Sequence, residues 1–481
     1  MSANKKILLL FLIFIVFLLH FPFLNADPDI NISTSMGPFT DEGLYTSNVR
    51  NLIHQGSYDF ELSDVPVKSP VFPFLFYIPF VLAGTKLIVA RLTVLLLILT
   101  LYFFTVSKDK KLFLPAIPVL PAVFLQYHIF HFSHFAMSEA LAYFLTIISV
   151  FTGNYFISKN SPLKAGVFPS LIIFFIILLK FNFIYLILLF PSVYFILWII
   201  KKEKKYRTAF KYAILSTFIF IAIYFLFWVL PHKELFISVI SSQTDNKFVS
   251  LKQLPGNIYI LLNGVFFHKK LLPVTVFFVV SFIAFVFYRK KIKDSGIIIP
   301  SLIVWLILES HKLSMSYLPT RYFIGFIFPL LIFSVFFTVY AFKEINLFFK
   351  SVLIGLFTVI FFNNVSDYIS SVKSRTYEIS KINKEINSLN IQNKTAAGNW
   401  ASTFCWDNNL RTIPIIDGEF NDTNVIGLYK PSFIAFVFDK NKIEHFNKNN
   451  HINLLKDSRK IEKHKIGRFT VGIFWLKTNK N

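Results

Sequence analysis

Cysteine is almost absent from this chain of 481 residues, since Cys405 is the single one. One cysteine excludes an intrachain disulfide and any metal site built on several thiolates. Charged residues are also scarce, at 16% of the chain against about 25% in an ordinary globular protein. The sequence has no Gly-rich phosphate loop, Walker lysine or GxSxG elbow. It therefore carries none of the short motifs typical of P-loop nucleotide-binding proteins or α/β-hydrolases.

Hydrophobic residues, by contrast, make up 55% of the chain, and phenylalanine alone occurs 62 times. Soluble cores cannot bury this much apolar surface, so a bilayer must solvate most of it. The formal charge of +23 does not indicate a nucleic acid partner, because most of it lies in short basic clusters between apolar runs. Such clusters fix the orientation of membrane proteins. The composition predicts a polytopic α-helical membrane protein, with membrane lipids as partners and no nucleic acid.

Apolar runs of transmembrane length alternate with polar connections that differ in charge. The connections rich in Lys and Arg are residues 5–6, 107–111, 158–164, 201–207, 289–294 and 342–344. Placing these in the cytoplasm leaves the others outside. The alternation predicts about eleven spans, near residues 7–24, 86–106, 112–127, 139–157, 165–180, 183–200, 208–230, 271–288, 295–309, 321–341 and 345–363. It also predicts that Ser57 and Asn393 lie outside and Lys204 inside.

Two regions do not fit this pattern. Residues 70–84 (PVFPFLFYIPFVLAG) are apolar but short and contain three prolines, so we predict that they lie on or dip into the outer leaflet, within a first outer loop of residues 25–85. Residues 364–481 begin with apolar residues at helical spacing and continue with β-rich runs at 412–416, 433–438 and 469–475. They predict a small extracytoplasmic α/β domain after a membrane domain of residues 1–363.

Polar residues gather at the predicted outer ends of the spans. Arg91, Lys180, Glu309 and Arg321 all lie there, whereas the charged midplane residues expected of an ion-coupled transporter are nearly absent. The first outer loop adds an acidic pair, Asp41 and Glu42. We expect a short helix to begin at this pair with Thr40 as its N-cap. At this point the pair either favours the positive end of that helix or serves a site at the membrane surface.

Several short motifs follow one another in a recognisable order. They are Asp-Glu-Gly-Leu-Tyr at 41–45, Lys-Ser-Pro at 68–70, Leu-Ala-Gly at 82–84, Ala-Arg-Leu at 90–92 and Arg-Tyr at 321–322. Only their joint order, over residues 7–330, is specific. This order resembles the GT-C superfamily of polyprenyl-phosphate-sugar-dependent glycosyltransferases, notably the protein O-mannosyltransferase and aminoarabinose transferase families. The chain departs from the family pattern at Ser69, where many members have a second proline, and at Glu139, where relatives often carry Asp.

The resemblance implies an inverting glycosyltransferase that moves a sugar from a polyprenyl-phosphate donor to an acceptor lipid, glycan or protein. The resemblance and the predicted topology together imply that this reaction takes place at the outer face of the cytoplasmic membrane. A sugar on a lipid phosphate already has a competent leaving group. The site must therefore accept the proton of the acceptor hydroxyl and stabilise charge on the departing phosphate. Asp41 is the candidate base, and Glu42 and Glu139 are further catalytic candidates.

Cations and aromatic hydroxyls at the same depth suit phosphate and sugar binding. The candidate substrate-binding residues are Tyr45, Lys68, Arg91, His311, Lys312, Arg321 and Tyr322. For Lys68, Arg91 and Arg321, the alternative is a role as interfacial anchors whose charged ends reach the membrane surface.

A divalent metal ion is a candidate cofactor, because some GT-C relatives use one. Its candidate ligands are Asp41, His131, His134 and Glu139, and His128 continues the three-residue spacing of the histidines. Interfacial histidines without a metal are the alternative. Two rival functions also stay open: an O-antigen-type polymerase or ligase, which should have a large late outer loop with paired arginines, and a lipid-linked sugar flippase or transporter, which should have a polar path at the midplane.

Overall fold

A computed structural model of the chain describes residues 2–33, 35–247, 251–288, 296–315, 318–389, 394–406, 408–417 and 419–477. Asn393 and the basic connection at 289–294, on both of which the topology prediction draws, lie outside these residues. The described chain is a bundle of helices followed by a small domain with one β-sheet.

The first part of the bundle contains both long helices and short ones in the connections. They are α1 (Ala3–His20), α2 (Gly37–Gln55), α3 (Val65–Lys68), α4 (Tyr77–Ala83), α5 (Leu87–Lys108), α6 (Lys110–Val119), α7 (Tyr127–His134), α8 (Ser138–Ser158) and α9 (Pro162–Leu179). The second part continues to the start of the sheet domain. Its helices are α10 (Leu189–Lys201), α11 (Lys204–Tyr224), α12 (Lys233–Lys247), α13 (Leu254–Leu261), α14 (Leu272–Tyr288), α15 (Ile298–Glu309), α16 (Ile324–Ala341), α17 (Leu347–Ser374) and α18 (Glu378–Ser388).

Within the described residues, eight helical segments are long and apolar enough to cross a membrane. They are Ala3–Phe23, Leu87–Lys108, Ser138–Ser158, Pro162–Leu179, Phe181–Lys201, Lys204–Val229, Arg321–Ala341 and Leu347–Ser388. The predicted span at 112–127 is instead part of a helix pair bent by 88°. The bend occurs where Gln126 caps a new helix, since its side chain accepts hydrogen bonds from the N–H groups of His128 and Ile129.

The predicted spans at 271–288 and 295–309 correspond to shorter helices, α14 with 17 residues and α15 with 12. A helix corresponds to every predicted apolar run, and the chain is a multi-pass membrane protein as its composition predicts. The apolar segment Pro73–Ala83 is about 16 Å long at 1.5 Å per residue, roughly half the hydrocarbon thickness of a bilayer. It buries Phe76 and Phe80 and exposes Ile78 and Leu82, which is the pattern of a helix lying at an interface.

α2 begins four residues before the position expected from the sequence. Its first turn contains Gly37 and Pro38, and proline suits this position because it lacks the N–H that would have no partner there. Thr40 is therefore inside the helix, where its hydroxyl donates to the carbonyl of Met36 at 3.2 Å. The prediction that Thr40 is the N-cap was wrong. Asp41 lies beyond the first turn, so helix capping does not explain its presence.

α17 continues through residue 364, where we predicted the domain boundary. Asn364 donates to the carbonyls of Pro121 and Ala122 at 3.2 and 3.3 Å, which fixes this part of α17 against the bundle. α18 follows after a short break. The Asp27 carboxylate accepts from the N–H groups of Glu378 and Ile379 at the start of α18. The apolar positions predicted as one amphipathic helix are thus divided between two helices.

The C-terminal domain contains a five-stranded sheet in the order β2-β1-β3-β5-β4. Its elements are β1 (Thr395–Ala397), β2 (Arg411–Ile413), α19 (Val425–Tyr429), β3 (Phe433–Val437), α20 (Lys440–Asn450), α21 (Leu454–Asp457), β4 (Ser458–Ile466) and β5 (Phe469–Leu476). β1 pairs in parallel with β2 and β3, and β5 pairs antiparallel with β3 and β4. Successive side chains of β3 alternate between the faces. Phe433 and Ala435 join the apolar core of the bundle, whereas Ile434 and Phe436 pack with Phe446 of α20.

Candidate active site

Four charged side chains meet at one end of the bundle. Glu139 lies at the start of α8, Lys180 directly follows α9, and Arg321 lies in the turn before α16. Asp41 comes from α2, which lies across this end of the bundle. These four residues form what we call the acid–base cluster. Because three of them lie at the ends of apolar helices, the cluster sits at the edge of the membrane domain.

Arg321 links the two carboxylates of the cluster. Its Nη1 lies 3.1 Å from Asp41 Oδ2, and its Nε lies 3.0 Å from Glu139 Oε1. The second contact is an ion pair without hydrogen-bond geometry, because the buried Nε has no hydrogen-bond partner among the described residues. A Cβ at Gly37 would collide with this guanidinium. Gly37 therefore allows Arg321 to reach α2.

Lys180 is the second cation of the cluster. Its Nζ donates to Glu139 Oε1 at 2.7 Å and to the Tyr45 hydroxyl at 2.8 Å. Glu139 is fully buried, whereas Asp41 and Arg321 keep 15% and 13% of their side-chain surface exposed. The cluster is balanced, with two anions and two cations. Its exposed members are the carboxylate and the guanidinium best placed to contact a substrate.

The environment of Asp41 favours proton uptake. Burial raises the pKa of its carboxyl above the ordinary value, although Arg321 and Lys180 act in the opposite direction. The negative charges of Glu139 and Asp64 add to the rise. A carboxylate with a raised pKa is a stronger base, so Asp41 has the property that a proton acceptor needs.

Glu42, the next residue of α2, is held in a different way. Arg91 Nε donates to Glu42 Oε1 at 2.9 Å, Arg91 Nη2 donates to Oε2 at 2.6 Å, and the Ala136 N–H donates to Oε1 at 2.7 Å. Arg91 Nη1 also donates to the carbonyls of Phe23 and Ala26. Both charged side chains are buried. This pair joins α2, α5, the segment that follows α1 and the loop before α8.

A second buried acid–lysine pair lies next to the cluster. Lys312 forms an ion pair with Glu309 and donates to the Tyr143 hydroxyl at 3.1 Å and to the Tyr322 carbonyl at 3.3 Å. A side chain at Gly325 would collide with the Glu309 carboxylate. The absence of a side chain at Gly325 thus lets α16 pack directly against this pair.

A narrow cleft of about 20 Å³ lies between Lys180 and Lys312, with room for roughly one water molecule. Its polar wall includes Asn182, His311 and Tyr322. Asn182 donates to the Tyr322 hydroxyl at 2.9 Å. The structure therefore brings three predicted substrate-binding residues, His311, Lys312 and Tyr322, to one cleft beside the acid–base cluster.

Lys68 lies nearby in α3 and forms an ion pair with Asp64. Its side chain is 27% exposed. The charge of Asp64 acts on the carboxyl of Asp41, so this ion pair is close to the cluster. Lys180 and Glu309 are not among the site residues predicted from the sequence, although each is a charged residue at the end of an apolar run. That isolated charge is the signal that identifies both.

The predicted histidine ligands are directed elsewhere. His131 Nε2 lies 3.1 Å from Ser371 Oγ and 4.0 Å from Asp29 Oδ2. The His134 ring packs against His20, with ring centres 5.4 Å apart. No three or more His, Cys, Asp or Glu side chains of the described residues are grouped so as to hold a metal ion.

Asp41 and Glu139, the other two candidate ligands, already face positive charge. Arg321 lies against both carboxylates, and Lys180 donates to Glu139. A divalent ion on these oxygens would be repelled by both cations. The residues of the cluster therefore do not fit a metal centre.

No family model and no curated protein matches this sequence. Solved structures do match its fold. ArnT from Cupriavidus metallidurans, bound to undecaprenyl phosphate, superposes with a TM-score of 0.59 and 11% identity over 98% of both chains. AglB, an oligosaccharyltransferase from Archaeoglobus fulgidus in complex with an inhibitory peptide and a dolichol-phosphate, matches with a TM-score of 0.52 and 9% identity. The match covers 100% of this chain and 75% of AglB.

A further A. fulgidus oligosaccharyltransferase structure, in complex with Zn and sulfate, matches with a TM-score of 0.50 and 8% identity over 95% of this chain and 70% of that one. ArnT and AglB are members of the GT-C superfamily. The chain thus has a GT-C fold, and the resemblance that the order of motifs indicates is confirmed at the level of the fold.

Proposed function

We propose that this protein is an inverting glycosyltransferase that moves a sugar from a polyprenyl-phosphate donor to an acceptor lipid, glycan or protein. The observation that carries the proposal is the acid–base cluster at one end of a bundle with the fold of ArnT. The ArnT and AglB structures contain undecaprenyl phosphate and dolichol-phosphate. The basic connections lie at the other ends of the spans, which supports an active site on the outer face of the cytoplasmic membrane.

Three cations supply the charge that the lipid phosphate needs. Arg321 keeps part of its side chain exposed, while Lys180 and Lys312 line the adjacent cleft. A guanidinium binds phosphate oxygens in a bidentate manner, and a lysine acts as a point charge. In this proposal Arg321 binds the phosphate directly, and the two lysines stabilise the negative charge that develops as it departs.

Asp41 accepts the proton in the proposed displacement. The acceptor oxygen attacks the anomeric carbon from the side opposite the phosphate. The bond between that carbon and the phosphate oxygen breaks, and its electron pair leaves with the lipid phosphate. The hydroxyl proton of the acceptor passes to Asp41, whose raised pKa suits this task. The anomeric configuration is inverted.

The other acidic candidates have supporting roles in this scheme. Glu139 is fully buried and holds Lys180 and Arg321 in place, so it is a positioning residue. Glu42 and Arg91 satisfy each other and fix α2. The positive charge comes from side chains, because Asp41 and Glu139 do not fit a metal centre.

The direct test is a transfer assay with the purified protein in nanodiscs. Undecaprenyl-phosphate-linked hexoses and pentoses are supplied with a mixture of envelope lipids, glycans and proteins, and the release of undecaprenyl phosphate is measured. The anomeric configuration of the product is then read by NMR. We expect release with one donor class and an inverted product. A retained configuration contradicts direct displacement, and no release from any donor contradicts the proposed function.

A further inference from the structure

α2 presents its two sides to different parts of the protein. At about 3.6 residues per turn, Asp41 and Tyr45 share one side of the helix, and Gly43 and Arg50 lie on the opposite side. The first side faces the acid–base cluster, and the second faces the C-terminal domain. We propose that the C-terminal domain positions Asp41 for catalysis by fixing α2 through Arg50 and Gly43. This inference rests on the proposed function.

Arg50 joins the helix to the domain through two hydrogen bonds and makes a third within α2. Its Nη1 donates to the Cys405 carbonyl at 2.9 Å, and its Nη2 donates to the carbonyls of Ser402 at 2.7 Å and Gly43 at 2.9 Å. Its guanidinium also lies 4.2 Å from the ring centre of Trp406. A single side chain thus connects one turn of α2 to a segment more than 350 residues later in the sequence.

The partners of Arg50 make this connection sensitive to geometry. The residue is buried, and its hydrogen-bond partners among the described residues are backbone carbonyls rather than carboxylates. Burial lowers the pKa of Arg50 to about 10. Removing a cation from water is costly, and the carbonyls offset that cost only when all of them are within reach. Arg50 therefore favours one spacing between α2 and the domain.

Gly43 also limits the spacing between α2 and the C-terminal domain, because its lack of a side chain allows the two to approach closely. A Cβ at this position would lie 2.7–2.8 Å from backbone atoms of Ser402 and Thr403. No change of rotamer relieves a clash with backbone, so any side chain would move the helix away from the domain. Gly43 is two residues from both Asp41 and Tyr45. A displacement here changes their distances to Arg321 and Lys180.

Further hydrogen bonds extend the contact along α2. Thr403 donates its hydroxyl to the carbonyl of Phe39 at 3.1 Å. Asn51 donates to the Thr412 carbonyl and accepts from the Thr412 N–H, both at 3.0 Å. The domain therefore holds the catalytic helix on both sides of Asp41 along the chain, which is the arrangement required to orient one carboxylate.

The test compares Gly43→Ala and Arg50→Lys, each alone and combined with Asp41→Asn. We expect each single variant to lower kcat by about ten- to a hundredfold, because small misplacements of a reacting group have effects of this size. Affinity for undecaprenyl phosphate alone should stay within about twofold, which also shows that the protein is folded. In the Asp41→Asn background the same changes should lower the residual kcat by less than about threefold, because they act through Asp41.

Arg411→Ala is the matched control. Arg411 Nη2 forms an ion pair with Asp59 at 2.6 Å that also joins the domain to the first loop, and neither residue belongs to α2. We expect its kcat to stay near that of the wild type. Two results would overturn the inference and leave the proposed function standing. In the first, Gly43→Ala and Arg50→Lys keep full turnover while Asp41→Asn is impaired. In the second, Gly43→Ala and Arg50→Lys lower kcat equally in the wild-type and Asp41→Asn backgrounds. Full turnover by Asp41→Asn would contradict the proposed base itself.

Discussion

Asp41 and Glu42 are adjacent in the sequence, yet their surroundings differ in the two respects that decide function. Glu42 is buried, and its oxygens accept hydrogen bonds from Arg91 and the Ala136 N–H. Asp41 has one close cation, Arg321, which it shares with Glu139, and it remains partly exposed. A carboxylate whose hydrogen bonds are all made inside the protein holds structure together, and one with a shared partner and an open side is available for chemistry.

Removing the negative charge of Asp41 is the strongest test of this difference between Asp41 and Glu42. Asp41→Asn keeps the shape of the side chain but cannot accept a proton as a carboxylate does. We expect turnover to fall by about 10²–10⁴-fold, the usual range for the loss of a general base. Affinity for undecaprenyl phosphate and thermal stability, measured on the same sample, should change little.

The opposite result is expected for Glu42. Glu42→Ala leaves the buried Arg91 without its carboxylate, which should lower the free energy of unfolding by about 3–5 kcal/mol. Thermal unfolding in detergent measures this loss. Glu444→Ala is the control, because Glu444 and its partner Lys440 are both exposed and such pairs contribute about 0–1 kcal/mol. Equal melting temperatures for the two variants would show that the Glu42–Arg91 pair does not stabilise the fold.

A substitution that keeps the charge of Arg321 tests whether this residue binds the phosphate. Arg321→Lys loses the bidentate geometry, so we expect affinity for undecaprenyl phosphate to fall by about ten- to a hundredfold, or 1.5–3 kcal/mol. Titration of nanodisc samples with the lipid measures this effect. Unchanged affinity would reduce Arg321 to a partner of Asp41 and Glu139.

The smallest effect is expected at Lys68. This residue is paired with Asp64 and partly exposed, so Lys68→Ala should cost about 0.2–1 kcal/mol of donor affinity, at most about fivefold. The same titration measures it. A loss as large as that of Arg321→Lys would place Lys68 among the direct phosphate ligands.

The sequence predicts the parts of this protein that depend on local composition. Apolar runs locate the helices, because the bilayer imposes a minimum length and excludes charge. The order of short motifs identified Asp41 and Arg321, which the structure joins in one ion pair. The strand β4 was not predicted, because Arg459, Lys460 and Lys463 leave it without the apolar run that marks β2, β3 and β5. It is one of the two edge strands of the sheet, where charged residues are favoured.

Ion pairs and hydrogen bonds between residues far apart in the sequence could not be predicted, for a physical reason. Nothing near Glu42 distinguishes it from Asp41, since the difference depends on Arg91, which lies 49 residues away. Arg50 likewise reads as an ordinary helix residue until the C-terminal domain supplies its carbonyls. Such contacts depend on how elements pack in three dimensions, and a single sequence carries no local record of that.

The pH dependence of kcat/KM tests the role of Asp41 most directly. A base must be ionised, so activity should fall as the pH drops through the pKa of Asp41, which burial raises above its ordinary value. We predict this acidic limb in the wild type and in Glu42→Gln, and its absence from the residual activity of Asp41→Asn. An acidic limb that persists unchanged in Asp41→Asn would contradict the assignment of Asp41 as the proton acceptor.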